Sequence, residues 1–317
     1  MKAVLGLTGS KGAATRAPRL SHTPEETVVN MSHPSQASST RKWKDAPTRS
    51  VDVAGTTFAY RQLGPAGGVP VIMLNHWGAV LDNFDPRIVD GLAATRPVIA
   101  LDYRGVGASG GKVPLTVAEM AEDAIAVIRA LGFDEVDLLG FSLGGFVAQD
   151  IVLKEPNLVR KLILTGTGPA GGEGIERVGP VSWPLIIKGI LTFRDPKFYL
   201  FFTSTANGRR AANDFLERLQ ERKADRDKPI TMAAFLRQLK AIKAWGTQAR
   251  QGLGAIRQPV LVANGEHDIM VPSSNSVDLV RRLPNAELVL YEDAGHGGIF
   301  QYHEAFVKKA LEFLGPQ

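Results

Sequence analysis

Short apolar runs alternate with helical stretches from Val51 onward, and this alternation predicts a mostly parallel sheet with helices between its strands. The first two runs are split at Gly55 and are predicted to form an antiparallel pair, at 51–53 and 57–61. Six further strands are predicted at 69–74, 98–101, 136–139, 162–164, 260–263 and 287–291. Their near-continuous Val, Ile and Leu content is typical of strands that are buried on both faces.

Helix start signals lie between several of these strands. Thr116 and Glu119 have the spacing of a capping box, and apolar residues then recur on one helical face. Further helices are predicted from Ser273 or Ser274 to Leu283 and over residues 304–314. The alternation of strands and helices is interrupted at residues 169–252. This segment is far longer than an ordinary connection between elements, which predicts a small helical subdomain. The predicted fold is therefore α/β, with a core of residues 51–168 and 253–317 and an inserted helical cap at 169–252.

Residues 1–50 differ in composition from the rest of the chain. They are rich in Ser, Thr and Pro and hold eight basic residues against three acidic ones, whereas the remainder is balanced at 29 of each. We expect a disordered basic tail on a cytoplasmic protein. An organelle-targeting role for the tail, or a translation start at Met31, stays open. The neutral remainder argues against a nucleic-acid partner.

Composition excludes several classes of site. The chain has no Cys, which excludes a disulfide framework, a thiol nucleophile and any thiolate metal site. No apolar run reaches the roughly eighteen residues that a membrane-spanning helix needs. A G-x-G-x-x-G pattern at 105–110 is interpreted as a loop rather than a dinucleotide site, because Gly111–Pro114 delay the next helix until about Thr116.

The strongest chemical signal follows the strand at 136–139. Gly140-Phe141-Ser142-Leu143-Gly144-Gly145 runs directly into an apolar helical stretch, which is the context of a G-x-S-x-G nucleophile elbow. The glycines permit a strained turn that lifts the Ser142 hydroxyl clear of the sheet, with the helix N-terminus behind it. A glycine-rich strand-to-helix turn without chemistry is the alternative.

A serine nucleophile needs a base and a group that orients the base. Asp268 and His296 follow the strands at 260–263 and 287–291, so both are expected at the same edge of the parallel sheet as Ser142. The order Ser, Asp, His is the one that this elbow class uses. Glu266 is an alternative orienting carboxylate. His296 is bracketed by glycines, which we expect to form a mobile, exposed loop.

From Val51 to its C-terminus the chain resembles the α/β-hydrolase superfamily, in particular its serine esterase, lactonase and cofactor-free haloperoxidase-like branch. The elbow, a D-x-R-G-x-G-x-S segment at 102–109, and the G-x-x-D and G-H segments of Asp268 and His296 carry the resemblance. It implies a catalytic triad of Ser142, Asp268 and His296, a small-molecule substrate, and neither an organic cofactor nor a metal. The insertion at 169–252 resembles the helical cap of the superfamily.

The resemblance also implies an oxyanion hole, although the loop differs from the usual His-Gly motif. The loop after the third strand has the sequence Leu74-Asn75-His76-Trp77-Gly78, with Asn75 in place of the usual His. The backbone N–H groups of Trp77 and of Leu143, the residue after the nucleophile, are therefore the expected donors. His76 is expected to brace this loop, with a role in the pocket as the alternative.

Haloalkane dehalogenases and epoxide hydrolases of this superfamily use Asp at the elbow, so the serine argues against both and favours acyl transfer. We expect hydrolysis of a small or medium hydrophobic ester or lactone. Aromatic residues of the cap are expected to roof an apolar pocket. The candidate substrate-contacting residues are His76, Trp183, Phe198 and Trp245. Peroxide-dependent or C–C bond hydrolysis by the same triad, and a ligand-binding protein that has lost turnover, remain alternatives.

Overall fold

The computed structural model describes residues 42–316, which form an eight-stranded sheet with helices around it. The strands lie in the order β1-β2-β4-β3-β5-β6-β7-β8; β1 pairs antiparallel with β2 and β2 with β4, and the other pairs are parallel. Their bounds are β1 Arg49–Val53, β2 Thr56–Leu63, β3 Val71–Leu74, β4 Val98–Leu101, β5 Val136–Phe141, β6 Val159–Thr165, β7 Val260–Gly265 and β8 Ala286–Tyr291. The predicted fold class is confirmed.

Helices connect the parallel strands and cover the sheet. In residues 42–316 the α-helices are α1 Pro86–Ala93, α2 Val117–Ala130, α3 Leu143–Lys154, α4 Val178–Leu191, α5 Lys197–Leu200, α6 Ala206–Arg218, α7 Met232–Thr247, α8 Ser274–Arg282, α9 Gly298–Gln301 and α10 His303–Leu314. Thr116 caps α2 by accepting a hydrogen bond from the Glu119 N–H, so residues 105–110 lie in a loop ahead of that helix. None of these helices combines the length and the apolarity needed to cross a membrane.

Burial along the sheet follows the position of each strand. Every residue of β3, β4, β5 and β7 is buried, as their apolar sequences predict for central strands. In β8 only Tyr291 is buried, because this strand lies at the edge of the sheet. The expectation of two buried faces was therefore wrong for β8.

The segment between β6 and β7 contains α4 to α7, and buried ion pairs join it to the rest of the fold. Arg218, at the end of α6, donates three hydrogen bonds to the Asp85 carboxylate, the shortest of them 2.6 Å to Oδ2. The Arg61 guanidinium, fully buried on β2, donates to Asp82 at 2.7 Å and to Asp227 at 2.8 Å. These pairs hold the helical segment over the carboxyl edge of the sheet.

The predicted tail requires a correction at its end. Residues 1–41 lie outside the described residues, but residues 42–50 belong to the fold and β1 begins at Arg49. Trp43 is only 2% exposed, packs edge-to-face on Phe84, and donates its backbone N–H to Asp90 Oδ1 at 2.7 Å. The boundary predicted at residue 50 is too late, because Trp43 is buried in the fold and the backbone of this polar segment accepts hydrogen bonds from Arg222.

Candidate active site

Ser142 lies at the turn between β5 and α3 in a strained backbone conformation. Its φ is 55° and its ψ is −116°, in a region that non-glycine residues seldom adopt. Two hydrogen bonds hold the turn, one to the last residue of β6 and one to the residue two positions after that strand. The Ser142 N–H donates to Thr165 O at 2.9 Å, and the Thr167 hydroxyl donates to Ser142 O at 2.9 Å. These bonds stabilise the strained turn and hold the serine at the start of α3.

Glycines near Ser142 permit close approaches that a Cβ would prevent. A Cβ on Gly144 would overlap the carbonyl of Leu74, and one on Gly145 would lie 2.5 Å from the Thr167 side chain. Gly140 similarly has no room beside the backbone of Gly144 and Gly145. The start of α3 is therefore pressed against the end of β3, which brings Ser142 and Leu143 next to the loop that follows Leu74.

Asp268 and His296 form a buried pair on two neighbouring loops. Both side chains are completely buried, and His296 Nδ1 lies 2.7 Å from Asp268 Oδ2. The other carboxylate oxygen, Oδ1, accepts the backbone N–H groups of Met270 at 2.8 Å and Val271 at 3.0 Å. With both oxygens engaged, the carboxylate has one orientation and holds the imidazole with its Nδ1–H toward Asp268.

Backbone contacts bring these two loops together after β7 and β8. The His267 N–H donates to Ala294 O at 2.8 Å, and a Cβ on Gly265 would overlap the carbonyls of Ala294 and Gly295. Glu266, the alternative orienting carboxylate, is exposed, whereas Asp268 bonds to His296.

The expectation that the loop around His296 is exposed was wrong. His296 is 1% exposed, and its ring packs between Phe141 and Phe201, at centroid distances of 4.9 Å and 5.3 Å. A Cβ on Gly295 or Gly297 would press on Phe201, whose carbonyl accepts the Gly297 N–H at 2.7 Å. The glycines allow the helical segment to pack tightly over the histidine.

Ser142 and His296 line the same cavity, but they are not hydrogen-bonded to each other. His296 Nε2 is buried and has no hydrogen-bond partner in the part of the chain that the structure describes. Catalytic hydrogen bonds are often long before substrate binds, so this gap leaves the serine–histidine arrangement usable.

The loop after β3 keeps its shape through the Asn75 side chain. Asn75 Nδ2 donates to Val80 O at 3.1 Å, and Asn75 Oδ1 accepts the His76 N–H at 2.9 Å. Gly78, with φ of 78°, donates its N–H to Gln238 Oε1 of α7 at 2.8 Å. Within residues 42–316, the N–H groups of Trp77 and Leu143 donate to no hydrogen bond. Both expected oxyanion donors are therefore available.

The side chain of Trp77 is held by the helical segment. Its ring stacks on Phe235 at 4.2 Å between centroids, and its Nε1–H donates to Phe235 O at 2.9 Å. The loop that carries Trp77 is therefore clamped by α7.

His76 both braces this loop and lines the cavity. Its Nδ1 lies 2.7 Å from Trp77 O, which agrees with the expected bracing role. Its Nε2 is buried and, among the described residues, has no hydrogen-bond partner. Burial, with the charge of Lys197 as the next cause, lowers the pKa of His76 to about 3. The imidazole is therefore neutral at physiological pH.

A mostly apolar cavity of about 150 Å³ opens beside Ser142. Lys197, paired with Asp195 at 2.8 Å, is its one Lys or Arg side chain among the described residues. The lining residues are His76, Trp77, Gly78, Ser142, Ile186, Asp195, Pro196, Lys197, Leu200, Phe201, Phe235, Met270 and His296.

Of the four candidate substrate-contacting residues, only His76 lines this cavity. Trp245 stacks on Phe146 in the core, and its Nε1–H points to Gly168 O. Trp183 packs edge-to-face on Phe235, and Phe198 lines a separate surface groove. All three side chains lie outside the lining of this cavity, so their contact with a substrate stays a prediction. Leu200, Phe201 and Phe235 contact the cavity instead.

Comparison with known proteins gives concordant matches. Residues 69–301 match the family model described as alpha/beta hydrolase fold. A solved alpha/beta hydrolase fold protein from Chitinophaga pinensis is 37% identical and superposes with a TM-score of 0.82, over 87% of this chain and 100% of the other.

Curated relatives also match over most of their length. A putative carbamate hydrolase RutD from Rhizobium rhizogenes is 30% identical over 77% of this chain and 92% of its own. A 2-hydroxy-6-oxononadienedioate/2-hydroxy-6-oxononatrienedioate hydrolase from Cupriavidus pinatubonensis is 28% identical over 79% of this chain and 88% of its own.

Proposed function

The chain belongs to the alpha/beta hydrolase fold family, and we propose that it is a serine hydrolase that cleaves a small carboxylic ester or lactone through an acyl-enzyme intermediate. The convergence of a strained Ser142 and the buried Asp268–His296 pair on one cavity carries this proposal. A serine at this position gains nucleophilicity only when a neighbouring base takes its proton, and we assign that role to His296, whose ring Asp268 orients.

The proposed reaction uses both nitrogens of His296. Nδ1–H donates to Asp268, so Nε2 is free to accept the Ser142 proton as Oγ attacks the carbonyl carbon. Asp268 stabilises the imidazolium that forms. His296 then returns the proton to the leaving oxygen, and the same nitrogen activates a water molecule that hydrolyses the acyl-enzyme.

The negative charge of the tetrahedral intermediate is assigned to the backbone N–H groups of Trp77 and Leu143. Neither group is consumed by another hydrogen bond in the described part of the chain, and α3 begins at Leu143. The positive end of the helix dipole therefore adds to the two donors.

The size of the cavity favours a small acyl group. Pockets for drug-sized ligands typically measure about 300–1,000 Å³, whereas this one measures about 150 Å³. A cavity of about that size holds one ring of the size of benzene. We therefore narrow the substrate to esters and lactones with a short acyl chain.

The test is an ester series with a constant ethanol leaving group and acyl chains of two to eight carbons. We expect kcat/KM to be highest for the two- to four-carbon acyl groups and to fall beyond them, and Ser142→Ala to abolish turnover. Acceleration by hydrogen peroxide would support the perhydrolase alternative. Turnover of vinylogous 1,5-diketones without turnover of esters would support C–C bond hydrolysis, and saturable ligand binding without product would support a binding protein.

A further inference from the structure

The tautomer of His76 is fixed by its backbone partner. Nδ1 lies 2.7 Å from the Trp77 carbonyl oxygen, which can only accept a hydrogen bond, so Nδ1 carries the proton. Nε2 is then an unprotonated acceptor. Because burial lowers the pKa of His76 to about 3, a second proton does not occupy Nε2 at neutral pH.

This acceptor is buried beside the nucleophile without a partner. Nε2 has no hydrogen bond to any described residue, although the ring lines the same cavity as Ser142 and His296. Phe141 and Phe201 pack edge-to-face on the ring, at 5.5 Å and 5.1 Å between centroids, and neither can donate to it. An unsatisfied buried acceptor is costly, which favours a ligand that supplies a donor.

The position of His76 indicates which part of a substrate it meets. It directly precedes Trp77, whose backbone N–H is the proposed partner of the carbonyl oxygen under attack. Since His76, Trp77 and Ser142 all line one small cavity, we place the acceptor on the acyl side of that carbonyl.

We propose that His76 is a specificity-determining residue whose Nε2 accepts a hydrogen bond from an N–H or O–H group on the acyl side of the substrate. This inference rests on the proposed function and names the substrate class within it: a small acyl group with a donor beside the carbonyl, as in a carbamate or a 2-hydroxy acid ester. An isosteric acyl group without the donor leaves Nε2 unpaired when it displaces water from the cavity.

Two isosteric substrate pairs test this assignment. Phenyl carbamate is compared with phenyl acetate, and ethyl glycolate with ethyl propionate. For each pair, kcat/KM of the donor-bearing substrate is divided by kcat/KM of the donor-free substrate. This ratio in the wild type is then compared with the same ratio in each variant, so that differences in intrinsic reactivity and any general loss of activity cancel.

Three substitutions separate recognition from bracing. His76→Asn retains a donor near the Nδ1 position but has no atom at Nε2, His76→Gln places an amide near Nε2, and His76→Phe removes both nitrogens. We expect the preference for the donor-bearing member to fall about tenfold or more in the Asn and Phe variants, and to be largely retained in His76→Gln.

Other outcomes overturn the inference. If wild type and His76→Asn have the same ratio, Nε2 does not recognise the substrate and is satisfied by water. If the Asn variant keeps the preference while Gln loses it, His76 acts only through the Trp77 carbonyl.

A binding measurement separates failure of this inference from failure of the proposed function. The same pairs are titrated against Ser142→Ala, with and without His76→Asn, by saturation-transfer NMR. A donor preference in binding that His76→Asn removes supports the inference even if the wild type hydrolyses neither member. Equal binding of both members by Ser142→Ala overturns it.

Discussion

Replacing Asp268 by Asn is expected to trap His296 in the wrong tautomer. Asp268 Oδ1 accepts two backbone N–H groups, at 2.8 Å and 3.0 Å, while Oδ2 faces His296 Nδ1 at 2.7 Å. In the variant, the single amide oxygen satisfies the two N–H donors, so the NH₂ group faces Nδ1. Nδ1 then has to accept, and the imidazole proton moves to Nε2, where it blocks removal of the Ser142 proton.

The structure allows the size of this effect to be bounded. Flipping the amide to restore the correct tautomer leaves two buried N–H groups unpaired, at a cost of about 2–6 kcal/mol in total. That free energy corresponds to a rate loss of about 30-fold to 10⁴-fold. Loss of the carboxylate charge that stabilises the imidazolium adds to it, so kcat is expected to fall by about 10³–10⁴.

The assay is the hydrolysis of a small acetate ester, with Glu266→Gln as the matched control. Glu266 is a neighbouring exposed carboxylate, so this variant makes the same chemical change without touching His296. We expect wild-type kcat for Glu266→Gln and an unchanged fold for both, checked by circular dichroism and thermal unfolding. A folded Asp268→Asn protein with kcat within tenfold of wild type would refute the tautomer reasoning.

Three further predictions concern the scaffold. Gly144→Ala should lower the free energy of unfolding by about 1–3 kcal/mol and reduce esterase activity, because the new Cβ overlaps the Leu74 carbonyl. Gly254→Ala places its Cβ in open space, so the free energy of unfolding should stay unchanged or rise by up to about 1 kcal/mol. Arg218→Ala leaves the Asp85 carboxylate buried without its ion pair, and should cost about 3–5 kcal/mol in denaturant unfolding. Burial is the main cause that raises the pKa of Asp102 well above its ordinary value. Its ionisation therefore opposes folding as pH rises above about 4, and the stability of Asp102→Asn relative to wild type should increase as the pH is raised from about 4.

Each of these predictions has a contradicting result. Equal stability of the two glycine variants would show that the start of α3 is not pressed against β3. A loss below about 1 kcal/mol in Arg218→Ala would indicate a pair as weak as an exposed one. A difference between Asp102→Asn and wild type that does not change with pH would show that Asp102 is not protonated on folding.

Much of the fold could be predicted because its strands are apolar and its turns are marked by glycine. The start of β6 could not, because Arg160 and Lys161 interrupt the apolar pattern; Arg160 donates to the buried Asp137 of β5 at 3.0 Å, a contact visible only in three dimensions. Helix α1 was also missed, although Asp85-Pro86 is a recognisable start signal: Asp85 accepts the Arg87 N–H at 2.9 Å.

The candidate site could likewise be predicted only in part from the sequence. Ser142, Asp268 and His296 could be located from local motifs, since each follows a strand at the same sheet edge. The cavity lining depends on how helices far apart in sequence pack, so no local pattern distinguishes Phe201, which contacts the cavity, from Phe198, which does not. The unpartnered Nε2 of His76 likewise emerges only from the tertiary structure.

The most direct test of the proposed mechanism is labelling with a small fluorophosphonate, followed by peptide mass mapping. It reports activation of the nucleophile without requiring the natural substrate. The triad predicts one adduct, on Ser142, that is absent from Ser142→Ala and lost or strongly slowed in His296→Ala. A folded wild-type protein that gives no adduct with probes small enough for the cavity, or an adduct on another residue, would contradict the proposed mechanism.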